Sequence, residues 1–273
     1  MFELMININR KLPSFRNRAK ALECSKALIE RYNTRFQETE SALPHVFKAE
    51  YYVMYDRDLK AAKISILKAM EHEDVCDWAQ SCLDILMYET PDFINGEKLI
   101  EQCNQDIKDS SYYLMKSQIS VERKDFDDAN KFIEKSLSAG LNYDDYLINK
   151  SFIYLHEDAN QKVLNILVDV ISDLAPSSAK EALIVNRELA SKRNTGKINK
   201  VDIQNVIGRD RKGPASIAAH ILLDEEVPAR RLLDEIINND FSYYYTFMRW
   251  PVIPKKYLDK YSVSCITSDK MSA

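Results

Sequence analysis

Residues Lys124–Gly140 read KDFDDANKFIEKSLSAG. Asp125 stands before an aromatic, Phe126, and small side chains follow at Ala129 and Ser136 with Ile133 between them. Seven residues make two helical turns, so Ala129 and Ser136 share one face of a helix. Gly140 supplies a stop, because glycine adopts the left-handed conformation that closes a helix without steric cost. The stretch reads as a turn, an amphipathic helix and a stop.

The same small-residue pair recurs outward in both directions, as Ala62 with Ala69, Gly96 with Cys103 and, more loosely, Val163 with Val170. The first members, at 62, 96, 129 and 163, are separated by 34, 33 and 34 residues. Ala229 lies 66 residues beyond Val163, two periods on. Four residues after these small positions stand Ile66, Ile100, Ile133, Leu167 and Leu233. Three residues before the first three stand Leu59, Phe93 and Phe126, each preceded by an aspartate: Asp58, Asp92 and Asp125. Several columns keeping one period point to a repeat architecture, in which each unit buries its apolar face against its neighbours.

A helix–turn–helix unit of about 34 residues, with an Asp–aromatic pair opening its second helix and small residues along it, resembles the tetratricopeptide repeat. The clearest unit is Ser111–Leu141. The resemblance covers Leu43–Pro176 and returns more weakly from Pro214 to Asp240, while Ser177–Gly213 keeps the spacing without the residues, as a degenerate repeat or an insertion. Gly96 stands where the family usually has Ala, and the family's proline is missing after Gly140. The resemblance implies an all-α, right-handed α-solenoid of tetratricopeptide-like hairpins with capping helices. The expected organisation is an N-terminal capping region over 1–42, repeats over 43–176 and a degenerate repeat or basic connector over 177–213. A C-terminal hairpin with an aromatic cap then spans 214–261, before a tail over 262–273.

Local signals fit about 11 to 13 helices. Thr90–Pro91 reads as an N-cap followed by proline at the first helical position. Pro214 and Pro228 stand just before apolar-periodic runs. Ser14–Tyr32 carries Leu22, Leu28 and Ile29 at helical spacing, as a capping helix would.

Composition removes other classes. The chain has 273 residues and five Gly, where roughly 19 would be average. Neither GxGxxG nor GxxxxGK[ST] occurs, which argues against dinucleotide- and P-loop-binding folds. Lys and Arg total 38 against 42 Asp and Glu, a net charge of −4, unlike a dedicated nucleic-acid binder. No run of about 18 apolar residues is present, so no membrane insertion is expected. Met1–Ile8 lacks the basic region of a signal peptide, and a cytoplasmic protein is expected. The five Cys form no CxxC pair and the four His no HExxH, so neither metal nor cofactor is expected. GxSxG, HRD and DFG are absent, and Asp127–Asp128 and Glu225–Glu226 sit at helix starts, where the dipole favours acids. The reading is of a protein that is not an enzyme.

The family resemblance implies a concave groove that takes a peptide or helix. Its groove-facing columns fall on Phe47, Tyr51 and Tyr55, on Leu114, Gln118 and Glu122, and on Ile148, Phe152 and His156. Aromatic and aliphatic side chains dominate this set, in place of the Lys, Arg and Asn with which co-chaperones of the family clamp a C-terminal carboxylate. An apolar or amphipathic segment would suit it. The alternative is that Tyr51, Tyr55 and Phe152 pack between repeats.

Two further segments stand out. Arg187–Lys212 is locally basic, with a patch of Lys192, Arg193, Lys197, Lys200, Arg209, Arg211 and Lys212. It reads as a site for nucleic acid or for a phosphorylated or acidic partner, or as a solvated connector. Val201, Ile203, Val206 and Ile207 mark a short amphipathic helix inside it. Further on, Tyr243, Tyr244, Tyr245, Phe247 and Trp250 form either a terminal cap or a docking patch. The leading expectation is a non-enzymatic adaptor or scaffold for a protein partner. The alternatives are a regulator acting through the basic segment and an accessory subunit of a larger enzyme.

Overall fold

The computed structural model describes residues 41–104, 106–209 and 213–261, and among them every regular element is helical. The chain divides into two compact units after Leu86. The first holds α1 (Leu43–Tyr51), a π-helical turn (Tyr52–Asp56) and α2 (Leu59–Ala69), then a 3-10 turn (Glu73–Trp78) and α3 (Ala79–Met87). The second begins with α4 (Phe93–Gln102), α5 (Asp109–Glu122), α6 (Phe126–Ser138), α7 (Tyr143–His156) and α8 (Asn160–Leu167). It continues through α9 (Val170–Asp173), α10 (Ser178–Thr195), α11 (Lys200–Arg209), α12 (Pro214–Leu222), α13 (Glu226–Asn239) and α14 (Ser242–Arg249). Two 3-10 turns, Lys255–Tyr257 and Asp259–Tyr261, follow. The expected capping helix over 14–32 and the tail from 262 lie outside the described residues.

Aspartate opens the helices at the period seen in the sequence. Asp58, Asp92 and Asp125 accept hydrogen bonds from the amides of Ala61, Asn95 and Asp128 at 2.9, 3.2 and 3.2 Å. Each bond satisfies an N–H that the helix itself leaves without a partner. Leu59, Phe93 and Phe126 are accordingly the first residues of α2, α4 and α6. The expected cap at Thr90 is corrected: α4 starts two residues past Pro91, with Asp92 as its cap. Pro228 likewise falls inside the first turn of α13, where its missing N–H costs nothing.

The turns repeat with equal regularity. Arg57, Lys124, Asp158 and Asp224 all have positive φ, between 55° and 62°. Their numbers differ by 67, 34 and 66, the period of the buried columns. After α5, the Lys124 and Asp125 amides donate to Val121 and Ser120 O, both at 2.9 Å, the paired bonds of a Schellman close. Asp158–Ala159 and Asp224–Glu225 repeat this geometry after α7 and α12. At the register of the second unit stands Pro91, whose ring forbids positive φ, and the left-handed residue is instead Glu89. One period beyond Asp158 the chain does not turn, because Ser191 lies within the 18-residue α10, which stops only at left-handed Gly196.

The repeat columns are the core. Ala62, Ala69, Cys103, Ala129, Ser136, Val163 and Ala229 are buried, as are Ile66, Ile100, Ile133, Leu167 and Leu233. Val170 is only partly so. Within the second unit, helices pack on their chain neighbours from α4 through α8, and α10 packs on α7, α8, α11 and α12. Between α5 and α6 the small residues permit hydroxyl contacts with backbone. Ser117 Oγ donates to Ala129 O at 2.9 Å, and Ser136 Oγ to Ser110 O at 2.6 Å. Val121, Ala129, Ile133 and Ile153 form a cluster, with Leu114, Phe126 and Phe152 packed on its edge.

Candidate recognition face and cleft

α5 and α7 end at Glu122 and His156, both positions expected to face a groove. In the structure the C-terminal segment of the chain reaches both. Arg249, at the end of α14, places Nε 2.9 Å from Glu122 Oε1. Its carbonyl accepts a 2.9 Å hydrogen bond from His156 Nε2. A carbonyl can only accept, so this bond fixes the proton on Nε2. The next residue, Trp250, donates from Nε1 to Asn186 Oδ1 on α10 at 2.9 Å, and Asn186 Nδ2 donates to Ser151 Oγ on α7 at 2.9 Å. Tyr245 stacks on Tyr88 with centroids 4.1 Å apart, and the Arg249 guanidinium lies 5.4 Å from the Tyr88 ring centre.

Electrostatics favour this closure. A carboxylate at a helix C-terminus opposes the dipole, and the Arg249 guanidinium offsets the conflict at Glu122. Burial pushes the Glu122 carboxyl up from its ordinary range, against the downward pull of Arg249. Desolvation lowers the His156 pKa, and Arg193 and Arg249 lower it further, while the bond to Arg249 O opposes them.

The other expected groove positions are less alike than their spacing implied. Leu114, Gln118, Ile148 and Phe152 are half-buried. Phe152 stacks obliquely on His156, with centroids 4.4 Å apart, and packs on the α5–α6 core. In the first unit, Phe47 meets Trp78 edge-on at 5.9 Å, and Tyr51 is buried with its hydroxyl 3.4 Å from Asp56 Oδ1. The side chain of Tyr55 lies outside the described residues.

The basic segment is spread over several elements. Arg187 pairs with Glu188 and Asp202. Lys192 Nζ donates to Leu222 O and Asp224 Oδ1 at 2.9 and 2.8 Å. Lys197, Lys200 and Arg209 are exposed, and Arg211 and Lys212 lie outside the described residues. The amphipathic helix is α11, burying Ile203 and Val206 while Val201 stays exposed. Of the tail aromatics, Tyr244, Tyr245 and Phe247 are buried.

Arg193 leads to a second feature. Its Nη1 donates to Leu155 O at 3.0 Å and its Nη2 to Pro251 O at 3.4 Å. Leu155, Arg193 and Pro251 line a cleft of ≈ 690 Å³ together with His156, Arg249, Trp250 and Lys255. Arg249, Asn186 and Lys255 were not among the expected site residues. They belong to no repeat column, and the chain separation of 93 residues between His156 and Arg249 leaves no periodic trace. Trp250 carried the one local signal, an aromatic beside proline.

Among the described residues, no group of three or more His, Cys, Asp or Glu could hold a metal ion, and no helix is long and apolar enough to cross a membrane. No family model, curated protein or solved structure matches the chain.

Proposed function

We propose that this chain is a non-enzymatic adaptor of the cytoplasm, built as a right-handed solenoid of tetratricopeptide-like hairpins that holds a segment of a protein partner. The recurring left-handed turns, aspartate caps and buried small columns support the repeat reading. The observation that carries the functional reading is the seating of α14 and Trp250 against α5, α7 and α10. These faces already receive an aromatic helix with a basic end, the kind of amphipathic segment a groove of this design takes.

Magnitude decides whether that segment is itself displaceable. Burying each large apolar side chain is worth about 1.5–3 kcal/mol, and Tyr244, Tyr245, Phe247, Val252 and Ile253 are all buried. Removing them together would cost as much as a domain's whole stability. The segment is therefore a permanent wall, and a partner uses the remaining expected groove positions, among them half-buried Gln118 and Ile148.

Affinity capture from nuclease-treated lysate of the source cell, read by mass spectrometry, tests this. Wild type should retain a saturable protein that Ile148→Glu loses while its circular dichroism is unchanged. Empty beads, or capture that disappears with nuclease, would sink the adaptor reading and favour the basic segment.

A further inference from the structure

We propose that the cleft between the C-terminal ends of α7 and α10 and the chain after α14 binds a phosphorylated side chain of a partner polypeptide. The inference rests on the adaptor reading and names the chemistry the partner presents.

Three permanent cations, Arg193, Arg249 and Lys255, line this cleft, and Asp158 is the one carboxylate among its described lining residues. That is a local excess of two positive charges in a chain whose net charge is −4. The cations come from two stretches of sequence, Arg193 from one and Arg249 and Lys255 from the other, so the fold brings them together. Arg193 is oriented by carbonyl oxygens, one of them in the last turn of α7, where the helix dipole offsets part of its charge. Its Nη1 is 3.8 Å from Asp158 Oδ1, beyond hydrogen-bond length. Asp158 in turn accepts from Asn160 Nδ2 at 2.9 Å. Arg249 already has Glu122 and Arg193 has Asp158 as a loose ion pair, so the exposed Lys255 carries most of the uncompensated charge.

The ligand class follows from charge and shape. A phosphomonoester brings about two negative charges and three strong acceptor oxygens, which matches a guanidinium fork and an ammonium better than a single carboxylate does. Met248, Ile253 and the Trp250 ring give the cleft an apolar side for the residues flanking the phosphate. A nucleic-acid strand needs a continuous cationic track with successive stacking rings, whereas this cleft offers a single indole whose N–H is committed to Asn186.

Calorimetry on the full chain tests the proposal with three probes: a phosphoserine pentapeptide flanked by leucines, its unphosphorylated twin, and inorganic phosphate. The phosphopeptide should bind at least about tenfold tighter than either of the others. Lys255→Glu should abolish that preference with an unchanged melting temperature, because Lys255 is exposed, and Arg193→Gln should weaken binding similarly. Equal affinity for peptide and twin, or binding indifferent to Lys255→Glu, would overturn the proposal. Equal affinity for phosphopeptide and inorganic phosphate would overturn its polypeptide part. A partner still captured by wild type after phosphatase treatment would leave the adaptor reading standing while this inference fell.

Discussion

Arg249 on α14 and Glu122 on α5 meet at 2.9 Å, with both side chains about a quarter exposed. The pair ties α14 to the end of a helix whose own dipole repels the carboxylate. Arg249→Ala should leave that carboxylate poorly solvated and loosen residues 242–261 by about 1–3 kcal/mol. Glu122→Gln should cost less, since it removes the charge that needs a partner. Amide hydrogen exchange over α14 separates the two, and equal protection in wild type and Arg249→Ala would refute the role given to the pair.

Lys124 is held at φ 62° with an exposed side chain, where glycine would be unstrained. Lys124→Gly should therefore stabilise the α5–α6 turn by about 0.5–1 kcal/mol, net of glycine's larger loss of backbone entropy. Gly140, at φ 98° with open space where a Cβ would stand, should show the reverse, and Gly140→Ala should destabilise by about 1 kcal/mol from backbone strain alone. Urea midpoints of the two variants should move in opposite directions.

Asp125→Ala removes the acceptor for the Asp128 amide and should cost about 1 kcal/mol, with Asp125→Asn nearly neutral. Ile133, fully buried in the α5–α6–α7 cluster, should cost about 2–5 kcal/mol when cut to alanine. Chemical denaturation measures both, and an Ile133→Ala loss no larger than that of the cap would contradict the placement of the core.

The His156 pKa lies below its ordinary value of 6.5. Below pH 6.5 the unfolded chain takes up this proton before the folded one, so stability falls with pH and levels off beneath the folded value. Wild type should lose more stability than His156→Gln between pH 7 and pH 5. Parallel losses in the two proteins would show that His156 contributes nothing to the acid response.

The helices and core of α2, α4 and α6 were legible because local chemistry and periodicity agree there: an aspartate, an apolar residue and a small pair recur together. The turn at Pro91 and the uninterrupted α10 were not, since a proline moved one left-handed residue and the other helix runs on past Ser191 to Gly196. Groove positions were only partly legible. Spacing places Glu122 and His156 on their helices but says nothing of a segment far along the chain that comes to rest on them. The cleft was hidden for the same reason, as Arg193, Arg249 and Lys255 share no motif.

The separations of these contacts also set an order of events. Ser117 and Ala129 are 12 residues apart, whereas Asn186 and Trp250 are 64 apart. Short loops close early and long ones late. During synthesis the α5–α6 hairpin can form while residues 242–261 are still to be made, and the ends of α5 and α7 stay uncovered until then. The chain has two Trp, so in a Trp78→Phe variant the indole of Trp250 reports alone. Its fluorescence should settle after the helical signal in refolding, marking an interval in which these ends stand open.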